Sequence, residues 1–206
     1  TTNQSVEEFP KFKTLITKNI FSTETVKLIN KNSRTNYVLW ITKDTSIELG
    51  QFALERFVDI AEETDAAMIY SDYYEIKNDN RIPHQLIDYQ FGSIRDDFDF
   101  GPVVLINKLA MNSAVNEMKK DYQFAGFYDL RLKLSQKYSF FKINEYLYSS
   151  VEKDIRKSGE KLFDYVDPKN RTVQIEMEDA ATEHLKKIGA YLQPKFIEID
   201  FNDGSF

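Results

Sequence analysis

The chain has 206 residues, 42% of them hydrophobic, enough to build one substantial core. Its formal net charge of −6 argues against a non-specific nucleic-acid or anionic-membrane surface. With no cysteine and only two histidines, His84 and His184, it excludes disulfides, thiolate zinc sites and cysteine nucleophiles, and it argues against a His-rich metal site.

Residues 1–9 are polar and read as loose, and 12–17 (FKTLIT) read as a first strand. Ser22 and Thr23 offer caps for a helix through about Ser33, with Val26 and Ile29 facing inward. Strand 37–42 follows. Thr45-x-x-Glu48 has the form of a capping box, and the helix it starts is expected to bury Leu49, Phe52, Ala53, Phe57 and Ile60. Strand 66–76 stops at the turn cluster Lys77-Asn78-Asp79-Asn80.

Residues 81–101 are irregular. They hold Pro83, Gly92 and Gly101, with acids crowded at Asp96, Asp97 and Asp99. A short strand (103–106), a helix (109–119), a second helix (128–137), a strand (140–143) and an extended piece (145–151) come next. Residues 152–162 form a charged connection. Asp167-Pro168 starts a helix to about Ile188, with Val173, Met177, Ala181, Leu185 and Ile188 as its apolar stripe. Lys186 and Lys187 suit its C-terminal dipole, and Gly189 ends it. The reading is an α/β domain over 1–150, a loop and long helix packing on it over 151–194, and a linker or edge strand over 195–206. No apolar run approaches the ~18 residues that span a bilayer, and no secretory leader is recognised, so a cytoplasmic location is expected.

The order strand, helix, strand across 37–72 predicts a βαβ unit of a parallel sheet, with Asp44 and Asp72 on a common rim. Carboxylates facing such a crevice suit a hard cation or a sugar hydroxyl; otherwise Asp44 is an acid near a helix N-terminus and Asp72 a strand-end turn residue. Asp97-x-Asp99 reads as a solvated acidic loop or, at Asp99, an acceptor-side acid. Asp99-Phe100-Gly101 spells the kinase metal triplet without any of its companion motifs, so chance accounts for it. Asp129 suits a cap, an ion pair or an active-site acid, and it and Arg131, two apart, face different directions. Arg156 and Lys157 could contact a diphosphate from a loop. His84 reads as a surface residue and His184 as a partly buried packing residue. Twelve Tyr and sixteen Phe read mainly as core, with a few free to stack a sugar or a base.

The run YVLWITKDTSIELGQFALERFVDIAEETDAAMIYSDYYE resembles family 2 glycosyltransferases of GT-A fold, with their strand ending in an Asp-x-Asp-like element and a later strand ending in Tyr-Ser-Asp. FYDLRLKLSQKYSFFKINEYLYS resembles the family's helix after the acceptor loop and the strand behind it, and the likeness spans roughly residues 36–150. The resemblance implies a nucleotide-diphospho-sugar transferase-like fold: a mostly parallel sheet flanked by helices, here with a C-terminal helical extension. It implies glycosyl transfer from a nucleotide-diphosphate sugar to an acceptor hydroxyl, aided by Mn²⁺ or Mg²⁺ and a carboxylate base, in bacterial polysaccharide synthesis. On it, Asp44 is the metal candidate, Asp72, Asp99 and Arg156 the substrate-binding candidates, and Asp129 the remaining catalytic acid. Three departures stand out. Thr42 replaces the first acid of the metal element, Gly126 and Phe127 occupy the place of the usual Glu-Asp pair, and only FKTLIT and one helix precede Tyr37. The expectation is a degenerate transferase module resembling the front portion of a larger protein. The alternative is a non-catalytic GT-A-like module that binds a glycan or an adjoining, active transferase domain.

Overall fold

A computed structural model describes residues 15–151 and 171–195. In chain order the elements are α1 (Thr23–Asn32), β1 (Tyr37–Ile41), β2 (Ile47–Leu49), α2 (Ala53–Thr64), β3 (Met68–Lys77), β4 (Asn80–His84), β5 (Val103–Asn107), α3 (Lys108–Glu117), α4 (Gly126–Ser135), β6 (Phe140–Val151) and α5 (Arg171–Lys187). Residues 15–17 of the expected first strand have no regular structure. Residues 12–14, Arg156, Lys157, Asp167, Pro168 and the tail 196–206 lie outside the described residues.

Local chemistry sets many boundaries. Ser22 caps α1 by accepting from the Thr25 amide at 3.1 Å, and Val26 is fully buried beneath it. Asn107 caps α3 by accepting from the Leu109 and Ala110 amides. Asn78 and Asp79 both adopt positive φ (49° and 60°), which suits the two-residue turn joining β3 to β4. Past α5, Gly189 (φ +74°) donates to Lys186 O and Ala190 to Leu185 O, a Schellman end.

The six-stranded sheet runs β1-β5-β3-β6-β2, with β4 beside the second half of β3. Among the described residues only β3 and β6 pair in parallel; β1/β5, β3/β5, β3/β4 and β2/β6 are antiparallel. The expected mostly parallel sheet is therefore corrected to a mixed one. β1 and β3 do point the same way, but β5 lies between them, antiparallel to both. The apolar run VVLIN specifies burial and is silent on direction.

The capping box at Thr45 is also corrected. Residues 47–49 pair with Tyr148–Ser150 as β2, and the Thr45 hydroxyl turns to Val151 O and Ser150 Oγ rather than to a helix amide. Helix α2 begins at Ala53 behind Phe52, which has φ 60° and no side-chain cap. Ala53, Phe57 and Ile60 are buried as expected, whereas Leu49 and Phe52 are exposed because they precede the helix.

Helix α2 packs on β3, β5 and β6, while α3 packs on β5 and joins α1 and α4. Helix α5 docks on α4 through a second apolar cluster of Tyr122, Ala125, Tyr128, Leu132 and Ala180, with Met177 and Ala181 against it. Its deepest residues are Ala180 and His184, so the buried face is turned slightly from the predicted stripe. Glu176 on α5 accepts from the amides of Gln123, Phe124 and Ala125, capping the turn into α4. No helix among the described residues is long and apolar enough to cross a membrane.

At the start of α4, Gly126 lies so close to α1 that a Cβ would collide with the backbone of Ser22 and Thr23. Gly126→Ala is expected to cost about 1–3 kcal/mol or more in urea unfolding, since backbone, not a flexible side chain, must give way. Burial pulls the His184 pKa below its usual 6.5, and Arg131 and Lys133 on α4 add to this. The unfolded chain then binds the proton more tightly than the fold does. Stability is unaffected well above pH 6.5 and falls as pH drops below that value toward the folded pKa. His184→Gln is expected to flatten this fall between about pH 7.5 and 5.5, read as urea midpoints.

Candidate functional site

Register fixes where the candidate acids lie. Trp40 pairs with Val104, which pairs with Tyr70, and Thr42 N donates to Pro102 O two residues further along. Counting on, Thr42 and Asp72 stand level across the sheet, with the entry to β5 between them. Asp44 follows in the exposed β1–β2 connection. The two acids thus lie toward the same end of β1 and β3, but in unlike settings.

Asp72 is interior to β3 and 4% exposed. It accepts from the Leu86 amide at 2.8 Å and from Lys142 Nζ, on β6, at 3.1 Å. Parallel pairing places Lys142 beside Tyr70 and so next to Asp72. This is a buried ion pair with a backbone donor, an arrangement in which both charges are compensated.

Asp99 sits in the connection entering β5. Its Oδ1 accepts from the Gly101 amide at 2.9 Å, and its Oδ2 lies 3.0 Å from His84 Nε2. His84, expected on a loop surface, instead ends β4. Its Nδ1 is 3.2 Å from Glu75, and its ring stacks on Tyr73, which stacks in turn on Tyr148. The φ of +72° at Gly101, and the Tyr73 and Tyr148 side chains that a Cβ would meet, leave room for glycine only. Beside these groups is a cleft of about 530 Å³ lined by residues 84–87, 92–95 and 97–99. At its edge Arg95 grips Asp97 through two hydrogen bonds, which hold the Asp97 carboxyl below its ordinary pKa.

Asp129 lies on α4, 1% exposed, 2.5 Å from Lys133 one turn on. Burial pushes its pKa up, against the pull of Lys133, and its Oδ2 has no partner. It lines neither this cleft nor the next one. The expected ion-pair role fits this setting better than an acid facing substrate. At the position where the resemblance places the base, Phe127 packs its ring 4.9 Å from Trp40. At Gly126 no side chain fits at all.

Phe127 also belongs to a second, smaller cleft of about 280 Å³. It is walled by Phe21, Phe98, Phe124 and Phe127 and reached by Arg131, with Asp96 exposed at its edge. Phe98 lines both clefts. Arg131 is 3% exposed; its Nη2 donates to Arg95 O at 2.7 Å, and its guanidinium lies over the rings of Tyr128 (4.7 Å) and Phe100 (5.6 Å). Sequence reading named this residue beside Asp129 but gave it no role. The available signal was the run Asp129-Leu-Arg-Leu-Lys-Leu: every residue from Tyr128 to Ser135 is buried, so each charge on that helix needs a partner or a purpose.

Among the described residues, the candidate positions do not fit a divalent cation. Lys142 already brings positive charge to Asp72, the Thr42 hydroxyl donates to Gly101 O, and no group of three His, Asp or Glu among the described residues could hold a metal. No family model matches the sequence, and no curated protein matches it. Asp72→Ala is expected to destabilise by about 3–5 kcal/mol, because Lys142 is left buried and unpaired, whereas Asp44→Ala should stay within about 0.5 kcal/mol; urea denaturation of the two variants checks this.

Proposed function

We propose that this chain is a degenerate glycosyltransferase-like module that binds a glycan and transfers no sugar itself. The observation that carries the reading is the fate of its acids. A general base must come within about 2.6–3.2 Å of the acceptor hydroxyl. Asp129 is instead buried against Lys133, Asp72 is held by Lys142 and the Leu86 amide, and Phe127 packs on Trp40 where the resemblance puts the base. A donor diphosphate requires compensating positive charge. The acid that the resemblance assigns to a bridging metal, Asp44, is exposed and has no second acid at Thr42.

What remains is suited to binding. Two adjoining clefts of about 530 and 280 Å³ share Phe98, and the smaller has walls that are largely phenyl rings. Such faces take the C–H face of a sugar, burying apolar area with little loss of rotamer freedom. An adjoining transferase domain would supply the chemistry, and the module would present or hold the polymer.

Thermal melts with a uridine-diphosphate sugar and Mn²⁺ test the inactive half of the reading. A ligand at a hundredfold excess over Kd contributes about 2.7 kcal/mol, which for a chain of this size raises Tm by roughly 5–10 °C. No such shift is expected. A shift of that size that disappears in Asp44→Ala would establish a working donor site. Affinity electrophoresis in gels cast with polysaccharides tests the binding half. Retardation in at least one gel is expected, and mobility identical in all of them would refute glycan binding.

A further inference from the structure

We propose that the smaller cleft is a subsite for one acidic sugar residue, its carboxylate taken by Arg131 and its ring stacked on the phenyl walls. The inference rests on the glycan-binding reading and names the class of sugar.

Arg131 is buried and cationic, and among the described residues no carboxylate lies within ion-pair distance of it. A guanidinium has five N–H donors. One contact, from Nη2, is spent on Arg95 O, and Nε has no partner. The rings of Tyr128 and Phe100 lie against its face, and Tyr128 also takes a side-chain hydrogen bond from it, but Nε is left without a partner. Burying a charge whose donors stay empty costs free energy, so the arrangement is explained best by a ligand that completes it. A planar fork of donors matches a carboxylate in two parallel bonds.

The rest of the cleft decides what carries the anion. Its phenyl walls exclude a heavily hydrated ligand but accept a flat C–H face. Its volume of about 280 Å³ lies at the low end for ligand pockets, matching one ring rather than a chain segment. One buried cation can pair with one carboxylate, and the exposed Asp96 at the cleft edge works against any further negative charge. A nucleoside diphosphate would bring several charges against that same aspartate.

Isothermal titration calorimetry of the whole chain separates the possibilities. The probes are trigalacturonate, its fully methyl-esterified counterpart and benzoate. The acid is expected to bind at least about tenfold more tightly than the ester at low salt, and Arg131→Gln should remove that difference. Two substitutions outside the buried position keep the test decisive if Arg131→Gln does not fold. Asp96→Asn should tighten the acid about two- to fivefold and leave the ester unchanged, and Phe124→Ala should weaken both. Equal affinity for acid and ester would overturn the anionic subsite while leaving glycan binding intact. Binding of benzoate with no binding of either saccharide would overturn the glycan reading as well. Acid binding indifferent to both Asp96→Asn and Phe124→Ala would place the site elsewhere and overturn the assignment.

Discussion

Strand β3 is hydrogen-bonded along both edges, and residues Met68–Tyr73 are buried without interruption. One edge is taken wholly by β6; the other is divided end to end between β5 and β4. A strand in that position cannot shift its register without exposing one set of large side chains and burying another. Tyr70, Tyr73 and Met68 are fully or almost fully buried, and each is worth about 1.5–3 kcal/mol of transfer free energy. The positions of Asp72, His84, Lys142 and the entry to β5 all follow from that fixed register.

Pairing with β6 is also where the regularity breaks. Between Ser71/Ile143 and Tyr73/Tyr148, β3 advances two residues while β6 advances five. The extra residues bring Leu147 O to the Gly50 amide at 2.8 Å and bend β6 toward β2. Beyond the bulge, His84, Tyr73 and Tyr148 form an aromatic row across three strands, and Gly101 passes over it where no side chain fits. The connection that lines both clefts is thus seated on a rigid floor.

Helix α4 is the second constraint. Packed among α1, α3 and α5, it is buried almost throughout, yet it carries three charges in five residues. Asp129 and Lys133 pair with one another through Oδ1, while Asp129 Oδ2 is left without a partner. Arg131, between them in sequence, points to the other side of the helix and into the aromatic cleft. Two charges serve the fold, and the third has donors to spare. The same reasoning separates Asp72, consumed by Lys142, from Asp96, which remains exposed beside a cleft.

The sequence by itself determined the elements whose signals are local. The Ser22 cap, the α2 stripe of Ala53, Phe57 and Ile60, the Asn78-Asp79 turn, the apolar strand runs and the Gly189 end each depend on contacts a few residues apart. Tertiary structure decided what depends on distant pairing. It inserted β5 between β1 and β3, because burial of an apolar strand carries no direction. It drew residues 47–49 into the sheet against β6, because a free strand edge outcompeted a capping box. It also decided which acids are neutralised, because the lysine that reaches Asp72 is 70 residues away. A carboxylate's chemistry belongs to its surroundings, and only the folded chain supplies them.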